Sequence, residues 1–164
     1  LLCDHPSHAA PTVIPDGLQR YIDFMTTLAP AAIAASDAVV TDDIHFRDPF
    51  NDVRGRAPFV RCLEDMLEKL DDLRIDVTHV AALTARQAVA DEPARFALYW
   101  HFSGHLTQLG GRHWAVTGVA IVTLAADGRA AEHLDYWDAA GGLYEQLPLI
   151  GGLMRWLRRR LAVA

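Results

Sequence analysis

The spacing of apolar residues changes period once along this chain, at Leu70, and that change limits the folds it can adopt. Before it, Phe59, Cys62, Leu63, Met66, Leu67 and Leu70 recur at i, i+3 and i+4, with Pro58 near the start, which is one face of an amphipathic helix. After it, Leu73, Ile75, Val77, His79, Ala81 and Leu83 alternate with Arg74, Asp76 and Thr78, the period of a strand with one buried face. Strand signals then continue. Arg95 to Leu106 is rich in Phe, Tyr and Trp, Trp114 to Leu124 is a nearly continuous apolar run, and Ala130 to Asp138 follows the Asp127-Gly128 turn. Helices first and an antiparallel meander after them define the α+β class, expected here as a single domain.

The first half supplies the helices. Leu18, Tyr21, Ile22, Met25 and Leu28 form one stripe, and Pro30 opens a second helix expected to run through Ile33 to about Val39. Ile44-His45-Phe46-Arg47-Asp48 alternates like a strand stopped by Pro49, and Asn51 to Gly55 reads as a turn. Residues 1–17, with Pro6, Pro11 and Pro15, read as a mobile tail, 18–147 as the domain, and 148–164 as a separate basic amphipathic helix.

Composition removes several functions. Fifteen Lys and Arg against 21 Asp and Glu leave 164 residues at −6, which disfavours a nucleic-acid surface. Two cysteines, Cys3 and Cys62, make no disulfide framework, no apolar run reaches the roughly 18 residues of a membrane span, and the start lacks the basic and apolar regions of a leader. A soluble, cytoplasmic protein is expected. His101 and His105 lie four apart on a strand, about 13 Å along it, so a metal site is not expected. No organic cofactor is expected either, in the absence of a Gly-rich dinucleotide or phosphate loop. Ser103 lacks a Gly-x-Ser-x-Gly context, and Gly151-Gly152 follows no strand that would make a phosphate loop.

Several side chains stand out by position. Asp48 falls on the same strand face as Ile44 and Phe46, where burial would favour its neutral form and suit a general base; otherwise it caps the turn after Pro49. On the last strand Ala131, His133, Asp135 and Trp137 share one face. If Gly110-Gly111 makes a two-residue hairpin, residue 109 faces 112, and His101, Ser103 and His105 share the face of Ala120; a bulge would instead turn Trp100 and Phe102 to that face.

Three segments in this order resemble the nuclear transport factor 2-like superfamily, in its SnoaL-like and ketosteroid-isomerase-like branch. They are Arg20-Tyr21-Ile22, then Asp48-Pro49-Phe50 with Gly55-Arg56, then Asp127-Gly128-Arg129 followed by Tyr136-Trp137. The resemblance covers roughly residues 18–147. It implies a cone-shaped, cystatin-like α+β roll, a curved antiparallel sheet wrapped around the N-terminal helices, with a cavity for a small apolar molecule. It places Asp48 where the isomerases keep a proton-shuttling aspartate and Tyr21 where they keep an oxyanion-donating tyrosine, although a tyrosine at this helical spacing is also an ordinary core residue. Their second, acidic donor falls on Ala120, a space His101 could fill. The resemblance also turns Trp137, and with it His133 and Asp135, toward the cavity. Asp135 matches the water-activating aspartate of limonene epoxide hydrolases, though their Arg-x-Asp partner motif is absent. The run His133, Asp135, Asp138, Gln146-Leu147 is similar to SnoaL-like polyketide cyclases.

The expected function is therefore acid–base chemistry of an isomerase, cyclase or epoxide hydrolase type, or else non-catalytic binding. Asp48, Asp135, Tyr21, His101 and His133 are the candidate catalytic residues, and Phe46, Trp100, Phe102, Trp114, Ala120 and Trp137 the candidate walls. Large residues on both sheet faces suggest a homodimer. In the tail helix Ile150, Leu153, Met154, Leu157 and Leu161 form an apolar stripe beside Arg155, Arg158, Arg159 and Arg160. Packing of that stripe on the domain or a dimer mate is favoured over a peripheral membrane contact.

Overall fold

The computed structural model describes residues 13–87, 92–147 and 150–162. Three helical segments come first: α1 (Asp16–Thr26), α2 (Pro30–Ala34) with a single 3-10 turn at Ser36–Ala38, and, after a strand hairpin, α3 (Arg56–Lys69). The strands are β1 (Val40–Arg47), β2 (Asp52–Arg54), β3 (Leu70–Leu83), β4 (Arg95–Leu106), β5 (Arg112–Leu124) and β6 (Ala130–Trp137). Two short helices end the chain, α4 (Ala139–Gly142) and α5 (Ile150–Leu161). The sheet runs in the order β2-β1-β6-β5-β4-β3 and curves over the first three helices. Tyr21, Leu18, Phe59, Leu63, Ile44, Val40 and Val122 are fully buried where helices and sheet meet.

Most of the sheet is the expected antiparallel meander, with one parallel pair. β1, the first strand in sequence, lies parallel to β6, the last, with Phe46 beside His133. The segment expected to be only a turn also contributes. Asp52–Arg54 pairs antiparallel with His45–Arg47, and the tight turn lies earlier, closed by the Asp48 N–H on the Asn51 carbonyl at 3.0 Å. Helix α2 stops five residues after it starts, since Ser36 and Asp37 favour turn geometry over a helix interior.

Two expectations change. Helix α1 begins at Asp16 and so takes in Asp16 and Gly17; Gly17 is buried against the β5–β6 turn, where a Cβ would run into the Gly128 carbonyl. Residues 1–12, including Cys3, lie outside the described residues, as do Pro148 and Leu149. The second change concerns the C-terminal helix. The domain leaves most of its apolar stripe uncovered: Ile150, Leu153, Leu157 and Leu161 are exposed, Met154 is half-buried, and Gly151 is the helix's one buried residue.

The β4–β5 hairpin decides what faces the helices. The last pair before the turn is Leu106 with Arg112, so the loop holds five residues rather than two: a 3-10 turn at Thr107–Leu109, then Gly110 and Gly111 at φ 67° and 73°. The longer loop shifts the expected register by an odd number of residues and turns every side chain of β4 to the opposite face. Leu98 now stands beside Ala120, and Trp100 beside Gly118. Trp100 and Phe102 point inward, and His101 points out.

Gly118 lies between Trp100 on β4 and Trp137 on β6. A Cβ there would collide with the Trp100 indole and come within 2.8 Å of the Tyr136 carbonyl, which is backbone and cannot swing aside. Gly118→Ala is expected to cost about 1–3 kcal/mol through overpacking and to shift the tryptophan fluorescence. Wild-type melting with an unchanged emission spectrum would show that the ladder has room to spare.

Candidate active site

Between the helices and the concave face of the sheet lies a cavity of about 350 Å³. Alternation on each strand supplies its walls: Phe46 from β1, Trp100 and Phe102 from β4, Trp114 and Ala120 from β5, and Trp137 from β6. Helix α3 adds Cys62, Met66 and Lys69, spaced at i, i+4 and i+7 on one face. Cys62 and Met66 read as core in the sequence and Lys69 carries no signal there, so their part in the cavity was missed. Phe50 and Leu143 were missed as well; Phe50 stands half-exposed with its ring edge-on to Trp137 at 5.5 Å.

The polar groups converge at one end. Tyr21 Oη is 2.7 Å from His133 Nδ1, His133 Nε2 is 3.0 Å from Asp135 Oδ2, and Trp100 Nε1–H donates to Asp135 Oδ1 at 3.0 Å. Four residues from α1, β6 and β4 thus form one connected chain. Asp135 sits directly beside Ala120 in the β5–β6 register, so a carboxylate stands one strand away from the position where the sequence lacks one.

Proton positions follow from the donors and acceptors. Burial, and after it the negative charge of Asp135, push the Tyr21 hydroxyl well above the ordinary phenol value of 10.0. Tyr21 therefore keeps its proton. The Asp135 carboxylate, which only accepts, faces Nε2 at 3.0 Å and so favours the imidazole hydrogen there, and in that tautomer Nδ1 accepts from the Tyr21 hydroxyl. That Nε2–H is close to Asp135 but not aligned with it: Nε2 makes no hydrogen bond of good geometry, although the His133 side chain is only 5% exposed. A buried donor and a carboxylate oxygen are therefore side by side at the cavity wall.

The other candidates stand outside this chain of contacts. Asp48 lines the cavity, but its Oδ1 accepts from the backbone N–H groups of Phe50 and Asn51 at 2.7 and 2.6 Å, and Asn51 Nδ2 reaches both of its oxygens. This is the turn-capping arrangement. His101 is on the outer face, with its ring 5.3 Å from Tyr99, and takes no part in the chain. Burial, then the charges of Asp48 and Asp65, push the Cys62 thiol up from 9.0, which disfavours a nucleophilic thiolate at neutral pH. Among the described residues no group of three or more His, Cys, Asp or Glu is placed to hold a metal.

Tyr21→Phe removes the proton donor of His133 and leaves Nδ1 buried without a partner, a loss of about 1–3 kcal/mol at neutral pH. The raised hydroxyl also sets a pH dependence. Above about pH 10 the unfolded tyrosine ionises while the folded one holds its proton, so this contribution is full below pH 10 and lost as pH rises. Chemical unfolding of the two proteins should show a gap that narrows above pH 10. A gap of constant size at all pH values would contradict the assignment.

Comparisons place this geometry among known folds. A protein of unknown function with an NTF2-like fold from Exiguobacterium sp. 255-15 is 16% identical, with 74% of this chain and 98% of that one covered at a TM-score of 0.60. A protein with a ketosteroid isomerase-like fold from Catenulispora acidiphila, in complex with trimethylamine, is 14% identical, with 80% and 92% covered at 0.60. A candidate polyketide cyclase from Acidithiobacillus ferrooxidans is 16% identical, with 83% and 96% covered at 0.60. At these identities the likeness is one of fold. No curated protein sequence matches the chain. The family model for the SnoaL-like domain matches residues 18–133, from the first residue of the α1 stripe to the buried histidine of β6, and the chain belongs to that family.

Proposed function

We propose that this chain catalyses proton transfer on a small, largely apolar molecule held in the cavity, with Asp135 as the base. The observation that carries the reading is the buried chain Tyr21–His133–Asp135–Trp100, which presents a carboxylate oxygen and an N–H donor side by side at an apolar wall. A base of this kind is useful where water is scarce and its partner donor is already oriented. The cavity volume of about 350 Å³ is at the small end of ligand sites.

The step begins with a carbon next to a carbonyl. Asp135 Oδ2 takes the proton, the C–H electron pair moves into the adjacent C–C bond, and negative charge grows on the carbonyl oxygen. The Nε2–H of His133 donates a hydrogen bond to that oxygen. Returning the proton to a different carbon gives isomerisation. Attack of the enolate carbon on a second carbonyl closes a ring, and the alkoxide formed on that second carbonyl takes the proton back from Asp135. Both outcomes share the first step and need no other group. The Acidithiobacillus protein's description as a candidate polyketide cyclase and the isomerase-like fold of the Catenulispora protein agree with it.

The tyrosine takes a role different from the one its position suggests. Its hydroxyl is used by His133, so Tyr21 is a positioning residue that fixes the imidazole tautomer, and the oxygen-donating role passes to His133. Asp48 holds the turn that carries Phe50 to the cavity wall.

Proton abstraction can be read without knowing the product. The protein is incubated in deuterated water with a panel of small cyclic and aromatic ketones, and isotope uptake is followed by mass spectrometry. The wild type should label at least one ketone, and Asp135→Asn should lower that rate by about 100-fold or more. Tyr21→Phe should lower it less and should alter its pH profile. Ketones that bind but never exchange, or an Asp135→Asn protein that exchanges at the wild-type rate, would overturn the reading.

A further inference from the structure

Helix α5 is held to the domain by its polar face and turns its apolar face outward. Arg155 Nη1–H donates to the Glu145 carbonyl at 2.6 Å, and Arg158 pairs with Glu145 at 3.1 Å and with Asp138 at 3.2 Å. Gly151 lies between them on the helix surface, so close that a Cβ would run into the Glu145 carbonyl. At 3.6 residues per turn these three positions share one side. Ile150, Leu153, Leu157 and Leu161 share another, with exposures of 49%, 54%, 37% and 82%. Trp156, 47% exposed, flanks them with the Arg160 guanidinium 5.0 Å from its ring centroid. Clustered exposed side chains of this size mark a contact surface.

Charge identifies the occupant. The helix carries four arginines and no acidic residue in a chain whose net charge is −6, and Arg159 has no ionic partner among the described residues. A second copy of the helix is a poorer occupant: Arg155 and Arg158 are already held within the chain, but the helix carries no carboxylate that could pair with Arg159 and Arg160 of a mate. An anionic bilayer surface accepts both features at once: the leucines enter the acyl boundary, the tryptophan sits at the headgroup level, and the free arginines meet lipid phosphates. We propose that α5 lies flat on an anionic membrane surface, with Leu153, Leu157, Leu161 and Trp156 as its inserted face and Arg159 and Arg160 as its headgroup contacts. Twelve residues give a rod of about 18 Å, short of the ~30 Å hydrocarbon core, so the contact is peripheral. No helix among the described residues is long and apolar enough to cross a membrane. The helix packs on the same 138–147 segment that gives Leu143 to the cavity, which would place the site next to a store of apolar molecules. This inference does not depend on the proton-transfer reading.

The test is co-sedimentation of the full chain with vesicles of phosphatidylcholine alone or mixed in equal parts with phosphatidylglycerol. Binding is expected only to the anionic vesicles and should be lost at about 0.5 M salt. Arg159→Ala and Arg160→Ala should each weaken it roughly fivefold. Leu153→Glu with Leu157→Glu should abolish it and leave the melting temperature unchanged, since these side chains point away from the domain. No binding to anionic vesicles at low salt would overturn the proposal. So would a dimer in light scattering that the double leucine change dissociates, because the stripe would then be covered by a second copy.

Discussion

The hydrogen bond from Tyr21 to His133 joins the first helix of the fold to its last strand, 112 residues apart in sequence, inside the core. Both groups are buried, so neither could turn to water for a substitute partner, and the imidazole is left with one defined arrangement of its proton. What lies beyond it follows from that arrangement. With the hydrogen on Nε2, His133 presents a donor beside the Asp135 carboxylate, and the Trp100 indole holds that carboxylate from the other side.

Trp100 is in place because of a loop. A two-residue connection between β4 and β5 would have turned His101 and Ser103 inward and sent the indole to the outer face. The five-residue connection reverses this, and Gly118 opens the space the indole needs. The geometry of the site therefore depends on a turn at the far end of the hairpin, through nothing more than strand alternation.

Much of this was legible in the sequence. The change of period at Leu70 located α3 and β3, and the face of β6 that carries His133, Asp135 and Trp137 follows from alternation alone. The register of the hairpin was not legible, because Gly110-Gly111 marks a turn without saying how many residues precede it. Asp48 shows a second limit. A carboxylate before Pro49 satisfies both a catalytic and a capping pattern, and in the fold Asp48 makes four capping contacts to Phe50 and Asn51 while also lining the cavity. Amphipathicity located the C-terminal helix but could not say which face would meet the domain. Arg155 and Arg158 settle that by reaching Glu145 and Asp138, residues whose positions depend on the fold.

Tyr21 and Asp135 together set the protonation pattern of His133 and so make Nε2 the donor beside the carboxylate. Heteronuclear NMR of the imidazole nitrogens measures this directly at neutral pH. The account requires Nδ1 to resonate as an unprotonated, hydrogen-bonded acceptor and Nε2 as a protonated nitrogen. A hydrogen found on Nδ1, or on both nitrogens, would contradict it.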